Sequence, residues 1–321
     1  MGLLQHTEDG IYCSEGDFYI DPTGDVKTAI VTHAHADHGK EGHENYYTTN
    51  PTKHFLQHRI GDEKIHGKPF GKPFNINDVT ISFYPAGHIL GSAQVKIEKE
   101  ETWIVTGDYN VSDTKATEDF QWLEADNLIS EATFPLPIYT WEDEENIFDD
   151  MEDWIKDNKE RGQSSILFGY SLGKAQRILA GLAERFDETI YLHGAVTPYN
   201  EYYENHGIDL GSWQKIDYDN TDLTEKIVVA PPNAYRSKWM KNFSNVKTAF
   251  CSGWMTVRGN KRRKGYDKGF ALSDHSDWDD ILRYVEKSGC KNVYFHHGDT
   301  DSIIRYVNEK KQANAHPLNE V

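Results

Sequence analysis

The chain has 321 residues, of which 37% are hydrophobic, and its formal net charge is −18. This length allows a substantial core in one large domain or two interleaved domains, while no run approaches the roughly 20 apolar residues that span a bilayer. The acidic charge argues against long-range attraction of nucleic acid, since most nucleic-acid enzymes carry a more basic surface.

Targeting and redox signals point to the cytoplasm. The first six residues lack the basic start and the apolar run of a secretory signal peptide. The three cysteines, Cys13, Cys251 and Cys290, are far apart and not in metal-ligand spacing. An odd number of separated cysteines is typical of free thiols in a reducing compartment. We therefore expect a cytoplasmic protein.

Short strands dominate the first third of the chain. They are rich in β-branched or aromatic residues, and each ends at a polar or glycine-containing turn. The predicted strands cover residues 11–13, 17–21, 28–32, 79–84 and 102–106. This pattern predicts a sheet-rich first part of the fold.

The pattern changes near residue 141. Residues 142–158 have apolar positions at helical spacing, and a buried strand at 164–170 leads into a helix at 171–182. Further strands are predicted at 189–192 and 227–230. Strands that alternate with helices predict a parallel-sheet α/β unit inserted in the chain.

After residue 250 the glycine-rich, strand-rich pattern returns and completes the interrupted fold. Strands are predicted at 269–272 and 292–295, and helices at 278–287 and 303–311. The predicted division of the chain is an N-terminal part over 1–135, an insertion over 136–250 and a C-terminal part over 251–321.

The most informative motif follows the predicted strand at 28–32. Three imidazoles and a carboxylate lie within six positions, as His33, His35, Asp37 and His38. Histidine nitrogens and carboxylate oxygens are the ligands of hydrolytic zinc or manganese centres. His33 and His35 can face one ion, while Asp37 and His38 turn toward a second. The motif predicts a site for two divalent metal ions.

Three later motifs supply further ligand candidates, each after a predicted strand. His88 lies between Gly87 and Gly91 and offers a third neutral ligand. Asp108 is placed to bridge two cations, which lie ~3.5–4 Å apart in two-metal hydrolases. One histidine of the pair His296 and His297 completes the second ion.

Two residues are candidates for acid–base chemistry rather than for metal binding. His275 is flanked by carboxylates and follows a predicted strand. Glu131 follows the apolar pair Leu128 and Ile129 and is a candidate acceptor for a hydrogen bond from His275. Spacing alone leaves a purely structural role open for both.

Candidates for phosphate contact are local, because the chain as a whole is acidic. Residues 258–268 carry six basic residues against one acidic residue. Lys174 and Arg177 at the start of a predicted helix are candidates for a phosphate clamp. The alternative for these basic residues is that they are solvated surface side chains without a role in phosphate binding. Tyr170 and Trp254 lie beside predicted buried strands, where aromatic residues are more often part of the core than a platform for bases. The basic candidates are Arg258, Lys261, Arg262 and Arg263.

Together these motifs resemble the metallo-β-lactamase superfamily and, within it, the β-CASP nucleases. The HxHxDH signature stands at residues 33–38, and the other motif positions match at Asp21, His88, Asp108, Glu131, His275 and His297. A resemblance that covers essentially the whole chain is to the bacterial ligase-associated DNA exonucleases, which are also labelled mRNA 3′-end processing factor-like. The segments that carry it are residues 10–13, 86–94, 167–177 and 252–255, with the basic loop that follows.

The resemblance implies a fold and a set of residue roles. The fold is a metallo-β-lactamase αββα sandwich with an inserted β-CASP α/β domain. The cofactors are two divalent ions, Zn²⁺ in first place and Mn²⁺ as the alternative. Asp21 supports a ligand histidine, and His275, oriented by Glu131, acts with Asp37 and Asp108 in catalysis. One ion is held by His33, His35, His88 and Asp108, and the other by Asp37, His38, His297 and Asp108.

The resemblance also implies a substrate and partners. A DNA-repair exonuclease would act on DNA, and its functional partners would be a DNA ligase and a helicase. No membrane association is implied. His297 favours an RNA-cleaving alternative, because Artemis-like DNA nucleases commonly carry valine at this motif. A small-molecule hydrolase is a second alternative, against which the large insertion argues. A scaffold that has lost catalysis is a third, against which the complete ligand set argues.

Overall fold

The computed structural model describes residues 2–61, 64–257 and 265–321 of the chain. Within it the chain forms two compact units. The first comprises Met1–Asp113, Thr117–Thr140 and His275–Val321, and the second comprises Thr114–Ala116 and Trp141–Asp274. The second unit therefore interrupts the first in sequence.

Sheet A of the first unit has six strands in chain order. The first three strands are antiparallel, and the rest continue in parallel. Helix α1 (Asn50–Ile60) joins the last two strands and begins after Thr49, whose hydroxyl accepts a hydrogen bond from the Thr52 N–H. The strands are β1 (Leu4–Thr7), β2 (Gly10–Cys13), β3 (Phe18–Ile20), β4 (Thr28–Ile30), β5 (Asn45–Thr49) and β6 (Ile65–Lys68).

Sheet B of the first unit has seven strands. They are β7 (Phe74–Ile76), β8 (Val79–Pro85), β9 (Ala93–Glu98), β10 (Thr102–Val105), β11 (Asn127–Glu131), β18 (Asn292–His296) and β19 (Asn314–Pro317). Their order is β19-β18-β11-β10-β9-β8-β7. Helices α5 (Trp278–Ser288) and α6 (Asp301–Lys310) belong to the same unit.

Two hydrophobic cores define the layers of the first unit. Phe18 and Ile30 of sheet A share one core with Phe83 and Val95 of sheet B. The opposite face of sheet B packs against α5 and α6 through a second core. Helix α1 contacts β5 and β6 of sheet A. Burial of these apolar faces is the main stabilising term of the unit.

Sheet C forms the second unit, and all of its strand pairs are parallel. Its order is β14-β13-β15-β12-β16-β17. The strands are β12 (Ser164–Phe168), β13 (Ile190–Leu192), β14 (Trp213–Lys215), β15 (Ile227–Ala230), β16 (Val246–Cys251) and β17 (Lys268–Phe270). The helices among the described residues of this unit are α2 (Glu144–Glu160), α3 (Lys174–Ala183) and α4 (Thr197–Asn205). This architecture is the predicted parallel-sheet α/β unit.

The second unit extends beyond residue 250, after which the sequence pattern predicts that the interrupted fold resumes. Strand β17 pairs with β16 in sheet C, so the unit runs on to Asp274. A short apolar strand has the same sequence pattern whichever sheet it joins. The pattern therefore does not predict which sheet contains β17. Helix α3 begins at Lys174 rather than at residue 171, because Gly173 adopts a φ of 91° outside the helical region.

The described residues also form short 3₁₀ turns. The turns are Pro232–Ala234, Lys238–Asn242, Gly253–Thr256 and Leu318–Glu320. The three cysteines are buried free thiols. Among the described residues, no helix combines the length and apolar character that crossing a membrane requires.

Asp280 in the first turn of α5 makes the stability of the first unit sensitive to pH. Burial, followed by the nearby Asp277, raises its pKa to about 6. The folded chain thus holds a proton that the unfolded chain releases, and stability decreases as the pH rises from about 4 to about 6. We expect Asp280→Asn to add about 1–2 kcal/mol to the free energy of unfolding at pH 7.

Urea unfolding of both proteins across this pH range measures the effect. The difference between them should shrink below about pH 4, where the carboxyl is protonated in both states. An equal difference at every pH would contradict the assignment to this carboxyl.

Candidate metal centre

One edge of sheet B collects the predicted ligands of the first unit. Strands β8, β10, β11 and β18 run in one direction, because β9 is antiparallel to β8 and β10 while the other neighbours are parallel. The residues that follow or end these strands are His88, Asp108, Glu131 and His297. Side chains far apart in sequence therefore meet at the carboxyl ends of these strands.

The histidine-rich loop of sheet A is joined to this edge by the backbone. The N–H of Ala93, the first residue of β9, donates to the Thr32 carbonyl at 2.9 Å. Gly107 adopts a φ of +55°, and a Cβ there would lie only 2.7 Å from the Thr32 Cβ. A glycine before Asp108 thus permits the close approach of the two loops.

Four donor atoms form the first ligand set. His35 Nδ1 lies 3.1 Å from His33 Nε2 and 3.1 Å from His88 Nε2. Asp108 Oδ2 lies 3.7 Å from both of these Nε2 atoms. The ligand atoms of a tetrahedral zinc ion with bonds of about 2.0 Å lie about 3.3 Å apart. Three imidazole nitrogens and one carboxylate at these separations fit a divalent ion of this kind.

The second set shares Asp108 with the first. Its Oδ1 lies 3.5 Å from His38 Nε2, and the rings of His38 and His297 are 5.5 Å apart. One ligand atom each from His38, Asp108 and His297 falls within 4.8 Å of the others. Asp37 Oδ2 lies 3.9 Å from His38 Nε2, and its side chain is 77% exposed. Each oxygen of Asp108 therefore faces a different set, the arrangement of a bridging carboxylate.

Backbone strain marks two residues of the site. His297 and Asp21 have φ values of 60° and 43°, in the left-handed region that non-glycine residues seldom occupy. Strained residues of this kind cluster at functional sites.

The charges of the site favour metal ligation. Burial, aided by the charge of His38, holds the pKa of His33 well below its usual value, so the imidazole stays neutral as a ligand must. Burial opposes ionisation of Asp108, but the surrounding histidines, His38 first, hold its pKa well below its usual range. Asp108 is thus a carboxylate despite its burial.

Asp21 orients His38. Its carboxylate lies 2.7 Å from His38 Nδ1 and accepts hydrogen bonds from the N–H and the hydroxyl of Thr32. Burial lowers the pKa of His38, but Asp108 and Asp21 outweigh it and raise that pKa to about 10. A metal ion bound at this position displaces a proton. The Asp21 contact directs Nε2 of His38 toward Asp108.

His275 and Glu131 form a separate pair beside the metal ligands. His275 Nδ1 lies 2.9 Å from Glu131 Oε1, and Glu131 is buried. The Glu131 carboxylate also accepts hydrogen bonds from the Tyr109 N–H and from Thr133. A fixed carboxylate that accepts from Nδ1 leaves Nε2 of His275 to carry the mobile proton.

Two threonines that support the site are not indicated by any sequence motif. Thr32 ties Asp21 to the histidine loop, and Thr133 donates to Glu131. Their only sequence signal is proximity, since each lies within two positions of a predicted site residue.

Lys174 and Arg177 are buried in the second unit. Lys174 Nζ lies 2.6 Å from Asp274 Oδ1 and donates to the Leu272 carbonyl. Arg177 Nη1 lies 3.0 Å from the same oxygen, and its Nε donates to Glu144. Burial lowers the pKa of Lys174. These contacts support an internal ion network, and a role of either residue in phosphate contact stays a prediction. Arg258, Lys261, Arg262 and Arg263 lie outside the described residues.

Loss of Arg177 should destabilise the second unit. Arg177→Ala leaves Glu144 and Asp274 with reduced charge compensation in a buried place, so we expect a loss of about 3 kcal/mol in the free energy of unfolding. Arg161→Ala is the matched control, because its ion pair with Asp157 is exposed and contributes about 0.5 kcal/mol or less. Urea unfolding of both variants measures the difference. Equal losses would contradict the burial of the Arg177 network.

Comparison with known proteins adds relatives that are named for nucleic-acid chemistry. No family model matches the sequence. The chain is 30% identical over 281 residues to a protein of Opitutus terrae named "Probable DNA ligase", a match covering 86% of this chain and 27% of that protein. It is 29% identical over 130 residues to "RNase aCSPSF2" of Saccharolobus solfataricus, covering 39% and 26% respectively. The chain thus spans about a quarter of the length of these two relatives.

A solved structure shares the fold. It is the crystal structure of a protein of unknown function from Enterococcus faecalis V583, with a TM-score of 0.60 and 14% identity over 84% of this chain and 75% of that one. The relatives confirm the predicted resemblance to the β-CASP nucleases of the metallo-β-lactamase superfamily.

Proposed function

We propose that this chain is a metal-dependent nuclease that hydrolyses phosphodiester bonds at DNA ends, as a DNA-repair exonuclease working with a DNA ligase and a helicase. The observation that carries the proposal is the convergence of two ligand sets, bridged by Asp108, beside the His275–Glu131 pair. The relative named as a probable DNA ligase matches 86% of this chain, which supports the link to DNA joining.

The layers of the first unit support the finer fold assignment. Two sheets face each other across one core, with α1 on sheet A and α5 and α6 on sheet B. This layer order supports a metallo-β-lactamase αββα sandwich as the fold of the first unit. The second unit, which interrupts it in sequence, would be the inserted β-CASP domain.

Two divalent ions are the cofactors of the proposed enzyme. Zn²⁺ suits the histidine-rich donors and their near-tetrahedral spacing, and Mn²⁺ is the alternative. When bound, the ions would supply an activated water and neutralise charge on the phosphate oxygens. The chain would hold them through the two ligand sets described above, with Asp37 added to the second.

His275 is the proposed general acid. Glu131 accepts from its Nδ1, so the proton on Nε2 can pass to the leaving sugar oxygen. The buried carboxylate of Glu131 also stabilises the partly exposed imidazolium of His275. Asp21 acts through His38, whose ring it orients.

An RNA-cleaving enzyme is the second candidate. His297 belongs to the second ligand set, and RNA-cleaving β-CASP members carry histidine at this motif. One relative is named as an RNase. Both observations favour RNA as the substrate, and the hydrolytic chemistry would be the same as on DNA.

The test is incubation of the metal-loaded protein with end-labelled single-stranded DNA and RNA of the same sequence. We expect stepwise shortening of the DNA, and the position of the label gives the polarity of digestion. Cleavage of RNA alone would replace DNA as the substrate. If metal is bound and neither polymer is cleaved, the nuclease proposal fails.

A further inference from the structure

Three aromatic side chains of the second unit are exposed to solvent. Tyr170 is 60% exposed, Tyr218 is 46% exposed and Trp254 is 40% exposed. Sequence reasoning favoured the core for Tyr170 and Trp254, because each follows a buried strand. The structure instead presents their rings on the surface.

Tyr170 and Trp254 lie at one edge of sheet C. Strands β12 and β16 are adjacent and parallel, with Phe168 opposite Phe250. Tyr170 follows the carboxyl end of β12, and Trp254 lies in the 3₁₀ turn after the end of β16. Both residues therefore belong to neighbouring loops at the carboxyl edge of the sheet.

The strand order reverses between these two strands. From β12 the chain goes to β13 on one side, whereas from β16 it goes to β17 on the other side. Ligands of open parallel sheets bind at the carboxyl ends of strands where the connections diverge in this way. Tyr170 and Trp254 stand on the two loops that flank this switch point.

Buried neighbours anchor both loops. Leu172 and Met255 are buried beside the exposed rings, and Lys174 closes the first loop through its contacts to Asp274 and the Leu272 carbonyl. The rings are thus carried by loops that are fixed to the core of the unit. A preorganised site of this kind loses little conformational freedom when a ligand binds.

We propose that Tyr170 and Trp254 form a stacking site for unpaired nucleobases of single-stranded DNA. The inference rests on the proposed nuclease function and specifies the form of its substrate. Flat aromatic rings bind base faces without regard to sequence. Every exposed large apolar residue in the described part of the second unit is aromatic, whereas a docked protein helix would need an aliphatic groove.

The charge of the neighbouring residues distinguishes Tyr170 and Trp254 from Tyr218, the third exposed aromatic residue. Tyr218 follows β14 at the far edge of the sheet, and Asp217 and Asp219 flank it in sequence. These carboxylates repel a phosphate backbone. By contrast, the basic segment begins with Arg258, four positions after Trp254 in the sequence. Tyr218 is therefore outside the proposed site and serves as a control.

The test measures binding apart from cleavage. Fluorescence anisotropy with labelled oligo(dA), an abasic oligonucleotide of equal length and a blunt duplex is recorded on a His275→Ala background, which slows hydrolysis. We expect Tyr170→Ala and Trp254→Ala each to weaken oligo(dA) binding about tenfold. Binding of the duplex and of the abasic strand should stay within about twofold.

Conservative variants and the exposed control complete the design. Tyr170→Phe and Trp254→Phe keep a ring and should bind oligo(dA) within about threefold of the parent, and Tyr218→Ala should leave binding unchanged. Parent-like affinity of both alanine variants would overturn the stacking site, as would equal losses for the abasic strand. Binding with this pattern but without hydrolysis by the unsubstituted protein would instead remove the nuclease proposal and leave the stacking site standing.

Discussion

Replacement of Asp108 with alanine is expected to remove metal from both positions of the site. One oxygen of Asp108 faces His33 and His88, and the other faces His38. Loss of a supporting contact to a ligand costs about 10–100-fold in metal affinity, so we expect loss of a bridging ligand to cost more than about 100-fold. Isothermal titration with Zn²⁺ and the metal content per chain measure the effect.

Asp113→Ala is the matched control for this variant. Asp113 is an exposed carboxylate on the same connection after β10, and its removal should leave the metal content unchanged. Nuclease activity should disappear with the metal in Asp108→Ala and persist in Asp113→Ala. An Asp108→Ala protein that retains two ions per chain would rule out the bridging role of this carboxylate.

The second large effect is expected at His275. If its imidazole protonates the leaving oxygen, His275→Ala should lower the turnover rate by about 10²–10⁴-fold. The metal content should not change, because the two ligand sets are complete without His275. Single-turnover cleavage and metal analysis of the same sample separate the two contributions.

Glu131 offers a graded companion to this experiment. Glu131→Gln keeps an oxygen that can accept from Nδ1 of His275 but removes the charge that stabilises the imidazolium. We expect a smaller loss of turnover than in His275→Ala. His275, Asp108 and Glu131 also place ligand atoms within 4.8 Å of one another. If His275→Ala loses metal, His275 is therefore a metal ligand and not the general acid.

The motifs predicted most of the residues that the structure brings together in the candidate site, since each motif is local. His33, His35 and His38 fall within six positions after one strand, and His88 and Asp108 each follow a strand of their own. A strand that ends in a tight turn presents ligand side chains at its carboxyl end, whatever the rest of the fold does. The α/β alternation of the second unit was predicted on the same basis, from periodicity within short windows.

Contacts between distant residues were not predictable in this way. Arg177 and Asp274 are 97 positions apart, and their ion pair is seen only in the folded unit. The same holds for β17, which joins sheet C by pairing with β16. Helical position and charge made Lys174 and Arg177 candidates for phosphate contact, whereas burial of their side chains depends on what packs around α3.

Residue type and local strand pattern thus specify which chemical groups the protein brings to its candidate site and which strand ends carry them. Folding adds the rest: the two oxygens of Asp108 face different ligand sets, Asp21 turns Nε2 of His38 toward them, and Tyr170 and Trp254 lie exposed. The physical reason is the range of the interactions. Ligand type and strand pattern are written in neighbouring residues, while orientation and burial are set by packing between segments that the chain brings together only on folding.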